Sequence, residues 1–233
     1  MRTCDATHIA FDLDFTLCAY ALTPAQVITK AFARCLVDAN AIGRAGDLAD
    51  EYDALWRELE RTATSVHELR LDVWRRILRG RGVGDTLAAP IATAYGEIRR
   101  ETGVRLFDGV PEMLARLGAR GYRLGLLTNG LSEMQWEKIR NLNLERHFDV
   151  LVIAGDIGWS KPDGRAFAVL LDRLGARPAE ALFVGDSYPL DIVGAHDAGM
   201  RTAWISPHGA ISPGPVAPDY VLSSAVEIGR LLP

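Results

Sequence analysis

Four short polar clusters carry the residue types that could do chemistry. They are Asp12-Leu13-Asp14-Phe15-Thr16-Leu17, Thr128-Asn129-Gly130, Ser160-Lys161-Pro162, and Gly185-Asp186-Ser187 with Asp191 following. Asp12 and Asp14 flank one apolar residue, and both face a single pocket if the backbone leaves the period-two pattern of a strand there. Neighbouring carboxylates in a partly buried site repel, which separates their pKa values. One can then stay ionised as a nucleophile while the other carries a proton as an acid. A DxD pattern alone is equally a capped turn or a solvated loop, so its weight comes from the other three clusters.

Asp186 and Asp191 add carboxylates to a group that repels itself unless a cation joins it. Oxygen ligands without imidazole or thiolate suit a hard divalent ion, Mg2+ rather than zinc, with water and a substrate phosphate completing the shell. Asp191 reads either as a direct ligand or as a residue behind the ligands, and as a helix N-terminal charge it would have no part in metal binding. Thr128, Asn129 and Gly130 offer a hydroxyl, an amide and an unhindered backbone N–H before a helix, an array that can hold phosphate oxygens; the same tripeptide also suits a simple turn. Lys161 is a point charge suited to neutralising an attacking carboxylate and a transferring phosphoryl group.

These clusters need elements to position them. Apolar runs at His8–Phe11, Arg123–Leu127, Asp149–Ala154, Ala181–Val184, Thr202–Ile205 and Tyr220–Leu222 predict buried strands, and three of the four clusters fall directly at a strand's carboxyl end, where open α/β sheets bind ligands. Amphipathic segments lie between the later runs. Pro111 opens one, Ser132 with Gln135 predicts a capping box, and Pro162 precedes another. Alternating strand and helix implies right-handed crossovers and a parallel sheet covered on both faces. Residues 18–102 differ: Pro24–Asn40, Asp47–Arg61, Ser65–Arg79 and Asp85–Arg100 have helical periodicity with no strand between them. The expectation is an α/β fold with a Rossmann-like parallel sheet, a discontinuous core of residues 1–17 and 103–233, and an all-helical cap at 18–102. Trp56, Trp74 and Leu78 read as cap core, and Pro207–Pro218 as a surface loop.

With 48% hydrophobic and 24% charged residues and a net charge of −4, the composition is that of a globular chain. The mildly acidic balance argues against nucleic acid as partner. Cys4, Cys18 and Cys35 lack the spacing of a zinc site or a disulfide framework. The N-terminus has no secretory apolar region, and no run approaches the roughly 20 apolar residues of a membrane helix. The chain therefore reads as cytoplasmic, with reduced thiols and no membrane partner, as a monomer or homodimer.

Taken in order, the four clusters resemble the motifs of the haloacid dehalogenase (HAD) superfamily, with a cap placed as in its C1-capped phosphatase branch. The resemblance covers essentially the whole chain. It implies that Asp12 is the nucleophile forming an aspartyl-phosphate and Asp14 the general acid/base, with Thr128 and Asn129 beside the phosphate and Lys161 as the motif lysine. It further implies a Mg2+ site made by Asp12, the backbone carbonyl of Asp14 and Asp186, with Asp191 at the second acidic position. Asp14 points to phosphoryl transfer, because the founding dehalogenases lack that aspartate. Phe15 departs from the family's usual Gly, Asn or Asp.

The implied function is Mg2+-dependent hydrolysis of a small phosphorylated metabolite. The Thr-Asn-Gly cluster and Gln135-Trp136-Glu137-Lys138-Ile139 look most like nucleotidases and sugar-acid phosphatases, with phosphoglycolate as a further candidate. A phosphomutase of the same fold and a non-catalytic phosphate-ligand sensor stay open as alternatives. Among Arg70, Arg75 and Arg76, Arg70 is the candidate substrate-binding cation in the cap, against a solvated helix face for the others.

Overall fold

The computed structural model describes residues 4–38, 42–206 and 214–232. The expected loop at Pro207–Pro218 lies outside the described residues up to residue 213. Two compact units emerge: Met1–Ala19 with Arg105–Pro233, and Tyr20–Val104.

The first unit is built on a six-stranded sheet. Its strands are β1 (His8–Phe11), β4 (Arg123–Thr128), β5 (Val150–Ile153), β6 (Ala181–Gly185), β7 (Arg201–Ile205) and β8 (Tyr220–Leu222), in the order β5-β4-β1-β6-β7-β8. Every recorded pairing in it is parallel; Ile9, for example, lies between Leu124 and Leu182. Parallel neighbours need crossovers that cover the faces, so the central strands are apolar on both sides, and Ile9, Ala10 and Phe11 are fully buried. On one face α7 (Gly164–Leu174) seats Phe167, Leu170 and Leu174 in a cluster with Ala10, Leu127 and Phe183. The helix starts on the Asp163 side chain and ends at Gly175, whose φ of 67° suits glycine. Helix α5 (Val110–Ala119) buries Met113, Leu114 and Leu117 and also packs on β4.

The second unit contains α1 (Pro24–Arg34), α2 (Ala45–Leu59), α3 (Val66–Gly80) and α4 (Ala88–Thr102). Helix α1 packs on α2 and α4, and α3 packs on the same two, as in a four-helix bundle. Phe32, Tyr52, Trp74 and Tyr95 form its aromatic centre, with the Tyr52 and Tyr95 rings stacked at 4.7 Å and Trp74 fully buried. Trp74 and Leu78 are core as expected, and Trp56 is half-buried, stacked on Tyr52.

The structure corrects three expectations. Strands β2 (Cys18–Tyr20) and β3 (Val104–Leu106), too short to show a period, pair in a separate two-stranded sheet. Helix α1 stops at Arg34 instead of running to Asn40, because Leu36 has a φ of 53° and a right-handed helix cannot continue through a left-handed residue. Residues 39 and 40 lie outside the described residues. Helix α6 (Ser132–Asn141) has Leu131 as its N-cap and no side-chain cap, so the predicted Ser132–Gln135 box does not form; Gln135 is used elsewhere.

Candidate active site

Strand β1 ends at Phe11, and Asp12 follows at the carboxyl edge of the sheet, with its N–H donating to the Val184 carbonyl of β6. Its Oδ1 accepts from Lys161 Nζ at 2.6 Å, and the same ammonium donates to Asp191 Oδ1 at 2.7 Å. All three residues are buried. Asn129 sets the lysine's backbone: its Nδ2 donates to the Lys161 carbonyl at 3.0 Å and its Oδ1 accepts the Lys161 N–H at 2.8 Å. Asp191 is fixed in turn by the Ser187 N–H, which donates to its Oδ2 at 2.9 Å. Its carboxylate presses against β6 so closely that a Cβ on Gly185 would lie 2.4 Å from Asp191 Cγ.

Asp14 lies beyond the end of β1, next to Phe15, whose φ of 62° is a left-handed conformation worth about 1–2 kcal/mol of strain in a non-glycine residue. The Phe15 side chain is exposed. Asp14 has its own ammonium: Lys138 Nζ of α6 donates to Oδ1 at 2.8 Å and to Oδ2 at 2.7 Å. Gln135, one turn earlier on that helix, donates through Nε2 to Asp14 Oδ2 at 3.1 Å, to Thr128 Oγ1 at 2.7 Å and to the Asn129 carbonyl. Thr128 is buried at the end of β4 and Asn129 follows it.

Asp186 follows β6, its Oδ1 3.4 Å from Thr16 Oγ1 and its carbonyl accepting from Trp204 Nε1 at 2.8 Å. Carboxylate oxygens of Asp12, Asp186 and Asp191 lie within 4.8 Å of one another. Burial pushes the Asp12 carboxyl up to about 8, against the opposing pull of Lys161 and with Asp191 adding to the rise. Burial and then the Asp191 charge lift Asp186 to about 6. Burial works against the Lys161 ammonium, but Asp12 and Asp191 outweigh it and raise its pKa. This all-oxygen, self-repelling donor set fits Mg2+. Each Asp191 oxygen accepts one hydrogen bond, which ties Asp191 to Lys161 and to the Ser187 N–H and leaves each oxygen a further lone pair.

The structure thus brings together Asp12, Asp14, Thr128, Asn129, Lys161, Asp186 and Asp191, all on the first unit. The sequence reading gave Gln135 and Lys138 no place in the site. Their i, i+3 spacing on a polar helix face was the available signal, but such a face is usually solvated, and only the fold shows both buried. In the helical unit, Arg75 pairs with Asp72 and Arg76 with Glu58 on the surface. Arg70 instead lies over the rings of Trp56 and Tyr95, with its Nε buried and unpartnered among the described residues.

Comparison with known proteins agrees with this architecture. The chain is 35% identical to a phosphoserine phosphatase of Thermus thermophilus over 172 residues, which are 72% of this chain and 66% of that protein. It is 32% identical to a glyceraldehyde 3-phosphate phosphatase of Methanopyrus kandleri over 200 residues, 84% of this chain and 82% of that protein. Among solved structures, the HAD-hydrolase YfnB of Bacillus subtilis, bound to magnesium, superposes with a TM-score of 0.76 at 23% identity, covering 100% of this chain and 99% of that one. Among the described residues, no helix is long and apolar enough to cross a membrane. The profile of the family described as haloacid dehalogenase-like hydrolase matches residues 6–199, and the chain belongs to that family.

Proposed function

We propose that this hydrolase cleaves a small phosphomonoester through an aspartyl-phosphate on Asp12, with Asp14 as general acid and base and Mg2+ as its cofactor. That it is a phosphoric monoester hydrolase rests on its family and on relatives such as the two phosphatases named above. The observation that carries the finer reading is the separate treatment of the two carboxylates: Asp12 is buried against Lys161, and Asp14 is held apart by Lys138 and Gln135.

In the first step an Asp12 oxygen attacks phosphorus, the ester P–O bond breaks, and Asp14 delivers its proton to the leaving oxygen. In the second, Asp14 takes a proton from water, the water oxygen attacks phosphorus, and the bond to Asp12 breaks to release inorganic phosphate. Lys161 offsets charge on the attacking carboxylate and on the phosphoryl oxygens, and the Thr128 hydroxyl with the Asn129 region holds those oxygens. Asp12, Asp186 and the Asp14 carbonyl would hold Mg2+, which supplies further positive charge for the phosphoryl group. Substrates of the class used by the relatives, phosphoserine and glyceraldehyde 3-phosphate, stand beside nucleoside monophosphates, sugar-acid phosphates and phosphoglycolate as candidates.

The test is phosphate release from that panel with magnesium or with chelator. Release that needs magnesium and disappears in Asp12→Asn supports the reading. Interconversion of phosphorylated isomers without net release points to a mutase, and ligand binding without turnover to a sensor.

A further inference from the structure

We propose that Lys138 is a positioning residue for Asp14, holding its carboxylate where it can exchange a proton with the leaving oxygen and with the attacking water. The inference rests on the proposed aspartyl-phosphate mechanism and adds a residue to it.

Asp14 sits on the loop that follows β1, beside the left-handed Phe15, with its side chain 27% exposed. Among the described residues, every side-chain hydrogen bond to its carboxylate comes from Gln135 or Lys138. Both lie on α6, where the Lys138 ammonium, 124 residues away in sequence, meets both carboxylate oxygens at 2.8 and 2.7 Å. The lysine side chain is only 5% exposed. Burying it sacrifices hydration and most of the rotamer freedom of a long chain, so this placement needs strong charge pairing to persist. A lysine needed only to fasten α6 to the sheet could pair at the rim without that loss.

Gln135 ties this pair to the phosphate region. Its Nε2 touches Asp14 Oδ2 and Thr128 Oγ1 together, while its Oε1 is buried without a partner among the described residues. The amide faces this way because the Asp14 carboxylate and the Asn129 carbonyl only accept hydrogen bonds. One helix face therefore fixes the distance between the proposed acid and the hydroxyl proposed to hold the phosphoryl oxygens. The two ammonium groups divide the work: Lys161 serves Asp12 and Asp191, and Lys138 serves Asp14.

The consequence is specific to the two chemical steps. p-Nitrophenolate leaves without a proton, so formation of the aspartyl-phosphate from p-nitrophenyl phosphate does not need a well-placed Asp14; hydrolysis of the intermediate does. An alkyl phosphomonoester needs Asp14 in both steps.

Lys138→Met is compared with wild type by rapid mixing with p-nitrophenyl phosphate and by steady-state turnover of the best alkyl phosphomonoester from the panel, both in saturating magnesium. The expected result is a stoichiometric p-nitrophenol burst at a rate within about threefold of wild type, followed by steady-state turnover lowered at least about tenfold. Alkyl-ester kcat falls similarly with KM nearly unchanged, Lys138→Arg recovers part of it, and Lys138→Met adds no further loss to Asp14→Asn. An equal loss in burst and steady state, a loss confined to KM, or additivity with Asp14→Asn overturns the inference. Where Lys138→Met does not fold, Lys138→Gln and Lys138→Arg go through the same comparison. A wild type without phosphatase activity removes the proposed function itself; an active wild type with an unchanged Lys138 variant removes only the role of Lys138.

Discussion

Magnesium should bind this protein with an affinity that climbs steeply between pH 6 and pH 8. In the metal-free chain, burial lifts the Asp12 carboxyl to about 8, and burial with the Asp191 charge lifts Asp186 to about 6. Both folded values lie above the unfolded carboxylate value of 3.8. These two carboxylates therefore bind more protons in the folded state than in the unfolded state across that window, and their contribution to metal-free stability falls as pH rises from about 4 to about 8. A cation that requires ionised carboxylates has to displace those protons. From pH 6 to pH 8 the protonated share of Asp12 drops from nearly all to half, which strengthens apparent magnesium binding by about 50-fold, and Asp186 adds about twofold more. Together this is roughly 3 kcal/mol of binding free energy. Titration calorimetry at pH 6, 7 and 8 in buffers of different ionisation enthalpy reads both the affinity and the proton release, about one proton per magnesium at pH 7. Asp12→Asn should remove most of the pH slope. An affinity constant within threefold across the range, or binding without proton release, would refute the argument.

Further outcomes follow from the same contacts. Lys161→Met leaves the buried Asp12 and Asp191 carboxylates without their shared ammonium; urea denaturation in chelator at pH 8 should show a loss of about 3–5 kcal/mol, and turnover should fall by at least about 100-fold. Gly185→Ala puts a Cβ 2.4 Å from the Asp191 carboxylate, so stability should drop by about 1–3 kcal/mol and kcat should fall with it; an unchanged kcat would show that Asp191 does not need its present position. Thr23→Ala removes the capping box with Gln26 at the start of α1, and thermal melts should register a loss of about 1 kcal/mol with phosphate release unaffected per folded molecule.

Much of this protein is legible from sequence because its signals are local. The strands from His8, Arg123, Ala181 and Tyr220 are apolar runs bounded by turn residues, and an apolar run buried on both faces announces itself without knowledge of its neighbours. The polar residues at strand ends stand out for the same reason: Asp12, Thr128 and Asp186 each interrupt or follow such a run. Strand order, by contrast, depends on which edges meet, and β1 lies between β4 and β6, both far along the chain. The two-stranded β2–β3 sheet and the left-handed Phe15 left no period to read.

The sequence by itself determined the residue types of the site and the alternation that places them on one sheet edge. Only the tertiary structure decided which charge meets which. Lys161 reaches Asp12 across 149 residues and Lys138 reaches Asp14 across 124. Coulomb attraction and desolvation act through space, so the partners of a buried charge are set by packing, which no local pattern of residues encodes.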